Sequence, residues 1–237
     1  MKAILLAAGK GNRLRPHTDM TPKPLLPLKR DAEHPNVLLT HILTQLPSYI
    51  DEVIIIVKYL EDSIRDFIKT HVDLIREINP RIKDIICITQ TGEKGTMGAL
   101  LTVKDLLQPG EKFLVLNGDD LHVQEELESF KNHPRAFGVH TKVMPGYKSV
   151  VVNEKGIVTA LDVQTEEELL NGCRIATGTY LLDTDFFDFE PVVLSDGEIG
   201  LPHTLIAYTH TYPSYAVEEK NWFSVNTEKD LHTLWDM

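Results

Sequence analysis

Residues 3–28, AILLAAGKGNRLRPHTDMTPKPLLPL, constrain the fold more than any other stretch of the chain. The apolar run Ala3 to Ala8 stops at Gly9, Lys10 and Gly11, and a short apolar run bounded by a glycine-rich turn reads as a buried strand with a sharp end. Without Cβ atoms, Gly9 and Gly11 let backbone N–H groups line a concavity suited to phosphate oxygens. Arg13 adds a planar guanidinium fork and Lys23 a compact ammonium on a flexible stem, so two cations and a nest converge. The spacing fits neither common glycine loop: no third glycine opens a helix, and no Gly-Lys-Ser/Thr follows. Prolines at 16, 22, 24 and 27 exclude a regular helix, which leaves an extended loop in which Pro22 and Pro24 bracket Lys23 and project it.

Downstream, strand and helix signals alternate. A helix is expected from about Val37 to Leu46 with Asn36 as its cap, then a β-branched strand Val53 to Val57. Residues 61 to 78 read as an interrupted or kinked helix that Pro80 ends, followed by a strand Ile85 to Thr89. A helix Met97 to Leu107 and a strand Lys112 to Leu116 complete this half, and the charged stretch Lys29 to His34 reads as a surface loop. The order predicts a parallel sheet covered on both faces, with ligands beyond the carboxyl ends of its strands.

Two strand tips carry further chemistry. The strand at 85–89 ends in Gln90, followed by Gly95 and Thr96. A glutamine amide offers both an acceptor and a donor, which suits the imide edge of uracil or thymine, and Gly95 lets the backbone approach a flat base. Read more plainly, Gln90 is a polar strand end. The strand at 112–116 ends in Asn117-Gly118-Asp119-Asp120, where a carboxylate is placed to hold magnesium beside substrate phosphates, although an aspartate after glycine commonly just starts a turn.

Beyond residue 130, stretches 135–143, 148–153, 157–162 and 173–182 alternate or run apolar, with a turn through Asn153 to Gly156, and read as a mixed sheet with hairpins. A helix over Ile199 to Thr209 with Glu198 at its start, a strand at 212–217 and a final helix over 227–235 follow; Asn226 precedes the last as a cap or as a metal ligand.

With 237 residues, 42% hydrophobic and 25% charged, the chain fits one α/β domain of generous size. A formal charge of −11 argues against nucleic acid and anionic membrane surfaces as partners. No apolar run reaches the length of a membrane span and no signal peptide is read, so the cytoplasm is the expected compartment. Cys87 and Cys173 offer neither a disulfide framework nor a zinc spacing. Ten histidines include no His-Glu-x-x-His; His17, inside the proline-rich loop, stands apart from the rest. An acidic protein that binds polyanions needs cations concentrated locally or a recruited divalent ion.

The string from Gly9 through Arg13 and Lys23 to Pro27 resembles the signature of the sugar nucleotidylyltransferases, which join a nucleoside triphosphate to a sugar 1-phosphate and release pyrophosphate. The resemblance implies a Rossmann-like, three-layer α/β fold: one domain over 1–237, with a nucleotide-binding half (1–130), an acceptor-binding half (131–237) and no β-helix domain after it. It implies Arg13 and Lys23 as catalytic residues, and Ala7, Ala8, Gly9, Gly11, Gln90, Gly95, Thr96 and Asn117 around the nucleotide. Mg2+ is expected on Asp119 and Asn226. The glutamine favours UTP or dTTP. The partners are then an NTP and a phosphorylated small acceptor, with a homodimer compatible but not specified.

The chain departs from the family's pattern in the acceptor half. Tyr147-Lys148 stands for Tyr-Gly, Asp162-Val-Gln164 for Glu-Lys-Pro, and Ala176-Thr-Gly178-Thr-Tyr180 for the Asn-x-Gly that precedes a tyrosine. With the family lysine missing, Lys148 or Arg174, and less favourably Lys142, is left to steady the acceptor phosphate, beside Gly178. In the last motif Ser224 replaces the usual aspartate, and Asn226 lines up with the metal-binding asparagine of bacterial N-acetylglucosamine-1-phosphate uridylyltransferases. The alternatives are a cytidylyltransferase acting on a non-sugar phosphate such as phosphocholine, a non-catalytic relative, and a glycosyltransferase, which would need a metal-binding Asp-x-Asp.

Overall fold

The structure is a computed structural model and describes residues 1–29 and 35–236. In chain order its elements are β1 (Lys2–Ala7), α1 (Leu38–Thr44), β2 (Glu52–Val57), α2 (Glu61–Ile78), β3 (Asp84–Thr89), α3 (Thr96–Leu101), β4 (Lys112–Asn117) and β5 (Asp120–Leu121). The second half holds α4 (Gln124–Glu128), β6 (Ala136–Lys142), β7 (Lys148–Val152), β8 (Val158–Val163), α5 (Glu166–Asn171), β9 (Cys173–Asp183), α6 (Leu201–Ala207), β10 (Tyr215–Glu218), β11 (Phe223–Ser224) and α7 (Glu228–Trp235).

Seven strands form one sheet in the order β10-β6-β9-β4-β1-β2-β3. β3, β2, β1 and β4 run parallel, and β9 alone runs against both its neighbours, β4 and β6. The apolar runs explain this. Ala3, Leu5 and Ala7 face a cluster with Leu39, Ile42, Ile64 and Phe67 of α1 and α2. Ile4, on the other face, joins Met97, Leu100, Leu205 and Val150, from α3, α6 and β7. Strands buried on both sides cannot alternate with polar residues, so they read as continuous hydrophobic runs. The expected mostly parallel, two-face-covered sheet is present, and β1, β3 and β4 all deliver their carboxyl ends to one edge.

Several local expectations are corrected. Asn36 does not cap α1; Val37 takes that position in extended conformation without a side-chain cap. α2 is continuous from 61 to 78 rather than interrupted. The helix expected over Met97 to Leu107 stops at Leu101, and a separate 3-10 turn covers Lys104–Leu106. Glu198 and Ile199 do not begin α6: the Ile199 N–H donates to the Lys94 carbonyl and its own carbonyl accepts from Met97 N–H. The strand expected at 212–217 begins at Tyr215, because Tyr212 belongs to a turn and its buried hydroxyl serves Asp183. The hairpin turn through Asn153 is present, its side-chain oxygen accepting from the Lys155 and Ile157 N–H groups. The surface loop expected at Lys29 to His34 lies, over 30–34, outside the described residues.

Both cysteines are free. Among the described residues no helix is long and apolar enough to cross a membrane.

Candidate active site

The proline-rich loop after β1 contains only two short 3-10 turns, Asn12–Leu14 and Lys23–Leu25, as its prolines require. Gly11 has φ of +64°, and a Cβ there would come within 2.9 Å of Thr18 Cγ2, so this turn needs glycine. The loop carries Lys23 inward. Projecting from the backbone between its two prolines, Lys23 is 6% exposed.

Its ammonium donates to Asp119 Oδ2 at 2.5 Å and to Asn226 Oδ1 at 3.1 Å. Arg13 Nη2 donates to the same Asn226 oxygen at 3.0 Å. Four residues far apart in sequence thus meet at one point. Three separate segments place them: Asp119 comes from the tip of β4, Asn226 from the connection between β11 and α7, and Arg13 and Lys23 from the loop after β1. Asn226 does not cap α7, because Thr227 does so through a reciprocal capping box with Asp230. Its Nδ2 instead donates to the Tyr147 hydroxyl at 2.6 Å and to Ser224 Oγ.

A cleft runs along the carboxyl ends of the strands. Its larger part encloses about 670 Å³ and contains Ala8, Gln90, Gly95, Thr96, Asn117, Asp120, Tyr147 and Trp222. A smaller part of about 400 Å³ contains Ala7, Gly11, Lys23 and Gly118. Gly9, Arg13, Asp119 and Asn226 line both parts, so the cleft is continuous through them. All the expected nucleotide-binding, catalytic and metal-binding positions therefore line it.

The acceptor assignments fare differently. Neither Lys148, the exposed first residue of β7 paired with Val163, nor Arg174, exposed on β9 opposite Thr141, lines the cleft. Lys142 instead lies over the Phe223 ring, its Nζ 5.8 Å from the centroid. Gly178 has a structural role: its φ is +80°, and a Cβ there would overlap the Asn117 amide. The positions that reasoning from the sequence missed are Lys58, Lys94, Tyr147, Trp222 and Glu198. Lys58 was findable, being the first residue beyond the carboxyl end of β2. His17 lies outside the cleft, edge-on to Trp235 of α7.

Charge is managed around the paired carboxylates. Burial and the neighbouring Asp119 charge push the Asp120 carboxyl up to about 7, against the opposing pull of Lys23, His122 and a hydrogen bond from Ser224. Asp120 Oδ2 also accepts from Asn117 Nδ2 at 3.1 Å. Behind it, fully buried His122 contacts Glu219 Oε2 through Nδ1 at 2.7 Å, and Glu219 also accepts from Thr177. Burial alone would lower the His122 pKa; the charge and hydrogen bond of Glu219, reinforced by Asp120 and Asp119, raise it.

Gln90 is 8% exposed and its Nε2 donates to the Glu93 carbonyl at 2.8 Å. Gly95 has φ of +92°, and a Cβ there would overlap the Ile199 carbonyl oxygen. Packing against residues 198–199 therefore demands glycine at this position, whatever lies on the cleft side.

A mostly parallel sheet, a glycine loop beyond β1, and a lysine–carboxylate pair at the carboxyl ends of its strands define a Rossmann-like α/β domain. Solved structures share the architecture. UDP-glucose pyrophosphorylase complexed with UDP-glucose superposes with a TM-score of 0.79 at 18% identity, over 99% of this chain and 97% of that one. A putative glucose-1-phosphate thymidylyltransferase from Bacillus anthracis gives 0.77 at 20% identity, over 100% and 94%. The sequence matches the nucleotidyl transferase family over residues 2–233, and the chain belongs to that family. It is 35% identical over 191 residues to the bifunctional protein GlmU of Methanocaldococcus jannaschii, covering 79% of this chain and 41% of that protein. It is 34% identical over 196 residues to mannose-1-phosphate guanylyltransferase 1 of Arabidopsis thaliana, covering 79% and 51%. The chain spans about half the length of the curated relatives it matches.

Proposed function

We propose that the protein transfers a nucleoside monophosphate from UTP or dTTP to a sugar 1-phosphate, forming an NDP-sugar and pyrophosphate. The observation that carries this is the meeting of Lys23, Asp119, Asn226 and Arg13 on a cleft that Gln90, Tyr147 and Trp222 also line. The names of the relatives and structural neighbours, which include pyrophosphorylase, thymidylyltransferase and guanylyltransferase, support the reaction class and leave the base open.

In the proposed reaction an oxygen of the acceptor phosphate attacks the α-phosphorus, and the bond to the β-phosphate oxygen breaks as pyrophosphate leaves. The nucleophile is already ionised near neutral pH, so no general base is required. Positioning and charge neutralisation do the rest. The nest at Gly9 and Gly11, with Arg13, receives the β and γ charges. Lys23 holds the acceptor phosphate against the α-phosphate.

Magnesium fits the donors present. The Asp119 and Asn226 oxygens are hard ligands that already converge on a cationic nitrogen, and one or two protein oxygens plus phosphates and water are the usual set for this ion. When bound, it would neutralise charge on the phosphate oxygens that the reaction builds up.

Base choice follows from Gln90. One Nε2 hydrogen is committed to the Glu93 carbonyl, which leaves Oε1 to accept from the N3–H of uracil or thymine and the second Nε2 hydrogen to donate to a flanking carbonyl. One observation favours a second reading: Tyr147, Trp222 and Asp120, which line the same space, also suit a quaternary ammonium, as in phosphocholine. Incubation with each NTP against a panel of sugar 1-phosphates and phosphocholine, with products separated chromatographically, decides the matter. A UDP- or dTDP-sugar is expected; CDP-choline would overturn the base and acceptor assignments together.

A further inference from the structure

We propose that the Lys23 ammonium occupies the cation position of the cleft, and that binding of a divalent ion exchanges it, releasing the lysine toward the acceptor phosphate. The inference rests on Asp119 and Asn226 being the ligands of that ion.

The two oxygens offered to a metal are those that Lys23 already takes, Asp119 Oδ2 at 2.5 Å and Asn226 Oδ1 at 3.1 Å. Magnesium binds oxygen at about 2.0–2.1 Å. An ion bonded to both would lie within a few ångström of the ammonium, and two cations that close on shared oxygens repel. Lys23 and the ion are therefore alternative occupants.

The chain is built so that the exchange needs only a side-chain rotation. The backbone at Lys23 is held between Pro22 and Pro24 in a 3-10 turn, with the Leu26 N–H on the Lys23 carbonyl. The four-carbon stem has several rotatable bonds, so a change of rotamer carries the ammonium from one partner to another. With Arg13 also on the Asn226 oxygen, the metal-free cleft satisfies its own charges and holds its catalytic lysine away from substrate. Ion binding and lysine release are then one equilibrium, and linkage makes the effect reciprocal: whatever the ammonium costs the ion, its removal returns.

Mn2+ serves as the probe, with the free ion measured by electron paramagnetic resonance in the absence of nucleotide. Lys23→Met keeps the stem and removes the charge, and it is expected to bind Mn2+ at least tenfold more tightly than the wild type. Asp119→Asn should abolish binding in both backgrounds. Unchanged or weaker Mn2+ binding by Lys23→Met, with Asp119 still required, would overturn the exchange while leaving the metal site in place. Binding unaffected by Asp119→Asn would instead remove the metal assignment itself. The wild type supplies an independent reading through brief acetylation with acetic anhydride followed by peptide mass analysis. Lys23 should react several-fold faster once Mg2+ is added, and an unchanged rate counts against the exchange.

Discussion

At the scale of single residues, the site is made by side chains that share partners. Lys23→Ala removes one preorganised cation and is expected to lower kcat by roughly 10²–10³, by analogy with loss of an oxyanion donor; activity above about a tenth of wild type, with the fold intact by circular dichroism, would remove Lys23 from the reaction. Gln90→Ala should relax the preference among pyrimidine nucleotides more than it lowers the maximal rate, which a competition between UTP and CTP reads directly. Gly178→Ala tests a position that looked like an acceptor contact: its positive φ and the overlap with Asn117 predict about 1–3 kcal/mol of lost stability, and a raised KM for nucleotide as Asn117 is pushed aside. The Gly9–Pro27 string made Arg13 and Lys23 visible because its glycines and prolines constrain the backbone locally. That Lys148 and Arg174 lie off the cleft was hidden for the opposite reason. Nothing local says which face of a hairpin or of an antiparallel strand looks into a cleft, and in the fold both side chains turn out to solvent.

At the scale of elements, the site is assembled where short pieces meet. β5 and β11 pair as a two-residue antiparallel ribbon, Asp120 opposite Ser224. Asp119 leads into one strand and Asn226 follows the other, so the ribbon sets their separation. Beyond its other end the buried His122–Glu219 pair ties the two segments together. Thr227→Ala breaks the capping box of α7 and is expected to cost about 1 kcal/mol; because Asn226 precedes the cap directly, Mn2+ affinity should fall as well, and a stability loss with unchanged affinity would detach the helix start from the site. The parallel strands were legible from the sequence because burial on both faces leaves uninterrupted apolar runs. Helix ends were less so: α3 stops at Leu101, where Thr102 and the 3-10 turn at Lys104–Leu106 follow, and no glycine or proline marks that boundary. The β5–β11 ribbon, two residues long on each side, is too short for any periodicity.

At the scale of the molecule, the buried charges couple stability to pH. A histidine whose folded pKa is raised contributes stability that is fully present below its ordinary value of 6.5 and is lost as pH rises through the folded value, and His122 is such a group. Asp120 acts in the same sense, because a carboxyl raised to about 7 favours the fold while protonated and loses that contribution as pH climbs through 7. Metal-free protein is therefore expected to melt lower at pH 8.5 than at pH 6, with the slope on the acid side of pH 7 flattened in Asp120→Asn; a Tm that rises over this range would contradict the burial of these groups. The net charge of −11 is consistent with the same economy: the positive groups facing the cleft are Lys10, Arg13, Lys23, Lys58 and Lys94, concentrated where polyanions must bind.

The measurement that bears most directly on the central claim is the release of pyrophosphate, as distinct from orthophosphate, on mixing the protein with UTP or dTTP, Mg2+ and a panel of sugar 1-phosphates. Pyrophosphate in stoichiometric amount with one NDP-sugar, and its loss in Lys23→Ala, is the result predicted. Orthophosphate release, or NTP binding without turnover for any acceptor of the panel, would contradict it.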